Sequence, residues 1–188
     1  CTGLNPASLQ GDKAIVSILE KAGCNIDTHE DGYTIYKSPL QGIDIDLQDC
    51  PDLGPILNVM AMYANNTTHI FNAQRLRYKE SDRIAAMEEE LLKCNVDIST
   101  NESEIYIKGK TSYEGDVVFS AHKDHRIVMS LCVAATLFNQ PVIVEGAEAI
   151  EGATDKTFVP STDEIGTVYY FAVATDLDGE TLTTEIHT

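Results

Sequence analysis

One pattern of about seventy residues occurs twice in this chain, and it limits the fold more than any single motif does. Leu19-Glu20-Lys21-Ala22-Gly23-Cys24-Asn25-Ile26-Asp27 is echoed by Leu91-Leu92-Lys93-Cys94-Asn95-Val96-Asp97. Tyr33-Thr34-Ile35-Tyr36 is echoed by Glu104-Ile105-Tyr106-Ile107, Ile43 to Leu47 by Asp116 to Ser120, and Pro51-Asp52 by Lys123-Asp124. Each copy reads as a helix, three short strands, an apolar helix and a final strand. Two copies seldom complete a repeat architecture, so a third is expected to be missing.

Within the first copy, helical spacing joins Ile15, Ile18, Leu19 and Ala22 over Lys13 to Ala22, with Asp12 as the expected N-cap and Gly23 as the stop. Strand patterns follow at Cys24 to Thr28, at Tyr33 to Lys37 across an Asp31-Gly32 turn, and at Ile43 to Leu47. Pro51-Asp52 then opens a helix over Leu53 to Ala64, whose middle is apolar nearly all round, as in a helix buried on most sides. Thr67 to Phe71 is the closing strand. In the second copy the nearly all-apolar helix runs from His125 to Phe138, and Val142 to Glu145 is the last strand.

Between the copies lies Arg75-Leu76-Arg77-Tyr78-Lys79-Glu80-Ser81-Asp82-Arg83, which holds four of thirteen Lys and Arg residues in a chain of net charge −17. A cationic cluster in an acidic chain draws anionic small molecules, because its local potential opposes the global one. The residues after it form an amphipathic helix with Ile84, Met87 and Leu91 on one face, joined by Ala85 and Leu92. Lys79, Glu80 and Arg83 are therefore expected in a helix's first turn, where free N–H groups and the dipole favour an anion. Asp52 and Asp124-His125-Arg126 stand at two further helix starts. Asp52 and Asp124 taken singly read as N-caps, and His125 singly as a hydrogen-bonding histidine. If the helices pack side by side in one sense, the three ends converge on a polar rim suited to proton transfer beside a bound phosphate or carboxylate.

The acidic balance argues against nucleic acid or an anionic membrane as a partner, since both require a broad basic face. The most apolar run, Ile127 to Phe138, is too short to span a bilayer. Five dispersed cysteines without a C-x-x-C pair read as reduced thiols of a cytoplasmic protein, not as a disulfide framework or zinc site. Without an initiator Met or a signal peptide, the chain is expected to be part of something longer.

From about Gly152 the composition changes. Residues 153–188 carry seven acids against one Lys and read as a hairpin, Thr167 to Thr175 and Glu180 to Ile186 around Asp176-Leu177-Asp178-Gly179. Gly166 to Val173 loosely resembles the late strands of bacterial immunoglobulin-like surface domains, though the segment has too few strands for a sandwich of its own. The spacing in Asp176 to Glu180 does not meet that of a calcium-binding EF-hand loop.

Leu9-Gln10-Gly11-Asp12, Pro51-Asp52, Leu76-Arg77-Tyr78-Lys79-Glu80-Ser81-Asp82-Arg83 and Asp124-His125-Arg126-Ile127-Val128-Met129 together resemble the 5-enolpyruvylshikimate-3-phosphate synthase (3-phosphoshikimate 1-carboxyvinyltransferase) family. Order and spacing are those of that family's C-terminal part, over residues 1–151. The resemblance implies an α/β fold of repeated βαβαββ units, with helices inside, sheets outside and ligands in a cleft between two domains. It is an inverse α/β barrel-like domain, here incomplete and followed by a β-hairpin tail at 152–188. It also implies transfer of the enolpyruvyl group of phosphoenolpyruvate to the 5-hydroxyl of shikimate 3-phosphate, with no metal or organic cofactor.

By that resemblance, Asp52 holds the 5-hydroxyl and acts as its base, while Glu80 moves a proton to and from the phosphoenolpyruvate methylene. Lys79 contacts shikimate 3-phosphate, Arg83 and Arg126 clamp phosphate and carboxylate, and His125 lines the pocket. Addition and elimination require these types: an acid, a base and fixed cations. The family's N-terminal motifs are absent, and its late lysine is replaced by Gly152-Ala153-Thr154-Asp155, with Lys156 displaced and given no role. Half a cleft cannot enclose its substrates, so the chain alone is expected to be inactive and to need an N-terminal domain or to self-associate through exposed apolar surface. A binding module on the same scaffold is the rival reading, and enzyme ancestry accounts better for the retained motifs.

Overall fold

The computed structural model describes residues 1–146 and, beyond them, the strands at 157–158, 173–175 and 181–183. The chain divides into two compact units, Cys1–Tyr113 and Glu114–Thr188. The immunoglobulin-like segment before 173, the Asp176-Leu177-Asp178-Gly179 turn and residues 152–156 lie outside the described residues.

In the first unit a 3-10 turn at Gly11–Lys13 leads into α1 (Ala14–Lys21), followed by the antiparallel hairpin β1 (Asn25–His29) and β2 (Gly32–Tyr36). Asp12 lies inside that turn and does not cap the helix, which begins after Lys13 without a side-chain cap. Gly23 ends it as expected, with φ +94 and Cys24 N–H donating to Leu19 O at 2.9 Å, a closure that needs the left-handed region. After β3 (Asp44–Asp46), a 3-10 turn at Pro51–Leu53 introduces α2 (Gly54–Met62), and β4 (Thr67–Phe71) closes the first repeat. α2 is buried on most sides, with Leu57, Val59, Ala61 and Met62 at 3% exposure or less. Next come α3 (Arg83–Lys93), β5 (Asp97–Thr100) and β6 (Ile105–Lys108).

The sheet of this unit runs β3-β4-β6-β5, with β3 and β4 parallel and the other pairs antiparallel. Strand alternation puts Ile45, Ile70, Ile98, Ile105 and Ile107 on the buried face, where cross-strand pairs such as Ile45↔Ile70 and Ile70↔Ile105 meet. On the other face, His69 stacks on Tyr106 with centroids 4.4 Å apart. The β5–β6 hairpin of the second repeat thus completes the sheet of the first, and the boundary between units falls inside the second repeat.

The hairpin pairings correct the repeat register by three residues. Asp27 echoes Asp97; the next residues pair Thr28 with Tyr33 and Ile98 with Ile107, so Tyr33 answers to Ile107, where the sequence echo had set it against Glu104. Both Tyr33 and Ile107 are buried, whereas Glu104 is not.

The second unit pairs β7 (Val118–Ser120) parallel with β8 (Ile143–Glu145), which in turn pairs antiparallel with β9 (Thr157–Phe158). Between β7 and β8, α4 (His125–Ala135) buries Ile127, Val128, Leu131 and Ala134. The helix ends at Ala135, three residues before the expected Phe138, and its C-cap is Thr136, whose hydroxyl donates to Val133 O at 2.8 Å. It is also less enclosed than its apolar composition suggests, since Met129 and Val133 remain 44% and 47% exposed. In the tail, β10 (Val173–Thr175) and β11 (Thr181–Thr183) pair antiparallel, in the hairpin the sequence suggests.

Candidate active site

The basic stretch begins as a 3-10 turn at Gln74–Tyr78, anchored by fully buried Leu76. Leu76 packs on the start of α2 where Gly54 has no side chain: a Cβ there would meet Leu76 Cδ1 at 2.5 Å. The backbone of Lys79 then turns extended (φ −93, ψ −160), and α3 begins at Arg83 behind Asp82, whose carboxylate accepts from Ala85 N–H at 3.1 Å. Lys79 and Glu80 therefore precede the helix and do not form its first turn. Asp82 supplies the reason, since an N-cap fixes where the helical dihedrals start. The buried face of α3 takes Arg83, Ile84, Ala86, Met87, Glu90 and Leu91, while Ala85 and Leu92 point to solvent.

Four expected site residues come together in this unit. Lys79 Nζ lies 3.0 Å and Arg83 Nη1 2.9 Å from the same oxygen of Asp52, and Arg83 Nη2 meets Glu80. Arg83 is 1% exposed, whereas the carboxylates of Asp52 and Glu80 are 35% and 50% exposed. A buried guanidinium is tolerable only when paired, and this one has two carboxylates. Asp52 sits within the 3-10 turn Pro51–Leu53, which has no side-chain cap. The N-cap expected of it is thus not made; a residue with helical dihedrals cannot occupy the extended cap position. The arrangement offers two carboxylates for proton traffic and two cations able to exchange a carboxylate for an incoming anion.

In the second unit Asp124 does cap its helix. It is fully buried, has extended dihedrals (φ −125, ψ 116) and accepts from Arg126 N–H at 2.9 Å. His125 and Arg126 follow in the first turn, both partly exposed. Before them, His122 and Lys123 adopt left-handed φ of 52 and 57. A cavity of about 390 Å³ lies against Ser120, Ala121, His122, Lys123, Glu145 and Gly146, and neither His125 nor Arg126 lines it.

The cysteines offer no nucleophile in the deeper positions. Burial pushes the Cys94 thiol up to about 12 and that of Cys132 to about 11, and burial, with help from nearby aspartates, raises Cys50. Sequence reasoning missed two residues that shape the site, Gly54 and Arg77. Gly54 next to a Pro could have been read as a close approach, and the Arg77–Asp82 spacing as an ion pair.

Residues 1–162 match the profile of EPSP synthase (3-phosphoshikimate 1-carboxyvinyltransferase). The chain belongs to the EPSP synthase family. A 3-phosphoshikimate 1-carboxyvinyltransferase of Clostridium novyi is 46% identical over 143 residues, 76% of this chain and 33% of the relative. The chain thus spans about a third of the length of that curated relative. Among solved structures, EPSP synthase from Acinetobacter baumannii aligns with TM-score 0.66 and 28% identity over 78% of this chain and 36% of its own. The enolpyruvyl transferase NikO from Streptomyces tendae, at TM-score 0.65 and 17% identity over 79% of this chain and 34% of its own, shares the fold. The mixed α/β repeats are those of this EPSP synthase family, without a closed barrel among the described residues. No helix among them is long and apolar enough to cross a membrane.

Proposed function

We propose that this chain carries part of the active site of a 3-phosphoshikimate 1-carboxyvinyltransferase, which moves the enolpyruvyl group of phosphoenolpyruvate to the 5-hydroxyl of shikimate 3-phosphate and releases phosphate. The observation that carries this is the shared use of Asp52 by Lys79 and Arg83, where a helix cap would have been the simpler outcome. An entering phosphate or carboxylate competes with Asp52 for these cations. Substrate binding therefore relieves Asp52 of part of its pairing as it meets the 5-hydroxyl proton it is to accept. Glu80, half exposed beside Arg83, gives a proton to the phosphoenolpyruvate methylene and takes one back on elimination. Lys79 holds shikimate 3-phosphate, Arg83 an anionic group of phosphoenolpyruvate, and Arg126 and His125 supply further substrate contacts from α4.

The reading extends to the chain's setting. With a third of a relative's length, the chain alone is proposed to be inactive and to require a complementary N-terminal part. The tail expected from 152 on is proposed to begin after residue 162, since β9 pairs with β8 and the family match runs to residue 162. Five free thiols support a cytoplasmic location.

Calorimetric titration of shikimate 3-phosphate into the purified chain, with and without phosphoenolpyruvate, tests the site. Binding heat that disappears in a Lys79→Ala/Arg83→Ala double variant is expected. Heat that persists in that variant, or silence from a folded sample, would remove the assignment of these cations.

A further inference from the structure

Arg77 is a cation of the basic stretch that no step above uses, and its guanidinium donates three hydrogen bonds. Nη1 donates to Asp82 Oδ2 at 2.8 Å, Nε to Glu102 O at 3.0 Å and Nη2 to Asn101 O at 2.5 Å. The two carbonyls belong to the β5–β6 turn, which is itself fixed. Asn101 Oδ1 accepts from the N–H groups of Ser103 (3.0 Å) and Glu104 (2.9 Å), and Asn101 Nδ2 donates to Glu104 at 2.7 Å. Ser103 O also takes the N–H of Ala73, at 2.9 Å, just before the basic stretch. On the other side, Asp82 divides its oxygens: Oδ2 meets Arg77 and Oδ1 caps α3. The next residue is Arg83, the buried cation of the candidate site.

We infer that Arg77 is a positioning residue: it fixes the start of α3, and through Asp82 the guanidinium of Arg83, against the β5–β6 turn. A planar fork suits this task, because three donors leave one group in directions set by its geometry. A lysine would offer a point charge and could not reproduce all three contacts. The bearing of Arg77 on substrate rests on the proposed function; its hold on Arg83 does not.

The full chain is compared with its Arg77→Ala, Arg77→Lys, Arg83→Ala and Ile18→Ala variants. The first readout is solvent exchange of the Arg83 Nε–H by nuclear magnetic resonance. Exchange about tenfold faster is expected in Arg77→Ala, from loss of three charge-assisted hydrogen bonds. A smaller increase is expected in Arg77→Lys. Ile18→Ala, which removes the one buried side chain of α1, away from this turn, should leave Arg83 as in the wild type. Unchanged exchange in Arg77→Ala, or an equal rise in Ile18→Ala, would overturn the inference. If Arg77→Ala does not fold, Asp82→Asn keeps a capping oxygen, removes the charge facing Arg77 and decides the same question.

The second readout is phosphoenolpyruvate affinity in the presence of shikimate 3-phosphate, expected to weaken about tenfold in Arg77→Ala. Looser Arg83 with affinity untouched even in Arg83→Ala would mean that positioning stands and the substrate role of Arg83 fails.

Discussion

Asp52 and Asp124 stand at corresponding helix entrances, one after Pro51 and the other after Lys123, yet the backbone around them differs. In the first repeat a 3-10 turn places Asp52 inside helical geometry, so its carboxylate turns to Lys79 and Arg83. In the second, two left-handed residues deliver Asp124 in extended conformation, and its carboxylate closes the N-terminus of α4. One local difference, an added tight turn against a pair of positive φ angles, goes with a carboxylate that pairs with two cations in one repeat and one that caps its helix in the other. Sequence equivalence between repeats thus predicts position, and backbone entry decides use.

The comparison breaks most strongly where Arg83 loses its counter-charges. Asp52→Asn/Glu80→Gln leaves a buried guanidinium without a carboxylate from this pair and should lower unfolding stability by about 3–5 kcal/mol, read by denaturant titration. Little change would mean that Arg83 is held by other groups and that Asp52 is no more committed than a cap.

A middle-sized effect belongs to the cap. Asp124→Ala should cost about 1–2 kcal/mol and expose the Arg126 amide to exchange, while Asp124→Asn should keep that amide protected, because Asn caps as well as Asp. At Asp52 the order should differ, with neither Ala nor Asn altering amide protection at the start of α2. Loss of protection there would erase the contrast.

Acid provides the mildest probe, acting on the sheet around the first site. Hydrogen bonds from Asn72 Nδ2 and the Gln48 N–H hold the Asp46 carboxyl below its ordinary range. Asn101, with a lesser contribution from His69, does the same for Glu104. Both carboxylates take up their proton later in the folded chain than in the unfolded one. The stability they add is complete above the ordinary carboxylate pKa of about 4 and is lost as pH falls through the lower folded values. Asp46→Asn and Glu104→Gln should each flatten the acid limb of a stability–pH curve slightly. An unchanged limb would show that the two groups titrate as they do in the unfolded chain.

Much of this was legible in the residues. Thr67 to Phe71 is a strand within its expected bounds, the repeat order is the observed order, and the grouping of Asp52, Lys79, Glu80 and Arg83 follows from their motifs. What escaped depended on hydrogen-bond choices that several residues could make equally well. Asp12 and Asp82 both precede a helix, and only Asp82 caps one. Ala85 and Ala86 are alike in composition, and the rotation of α3 set by its cap decides which is buried. The role of Arg77 was hidden because two of its three acceptors are main-chain carbonyls, which carry no side-chain signature.

The lending of the β5–β6 hairpin to the sheet of the preceding repeat has a consequence for how such a chain can lengthen. A sequence period and a cooperative folding element are here out of phase. The second period's hairpin needs the strand that closes the first, and its own closing strand β8 takes β9 from beyond the period. A duplication of one period therefore adds no self-sufficient piece. It moves the same pair of obligations further along the chain, and only a partner strand from another source can discharge them.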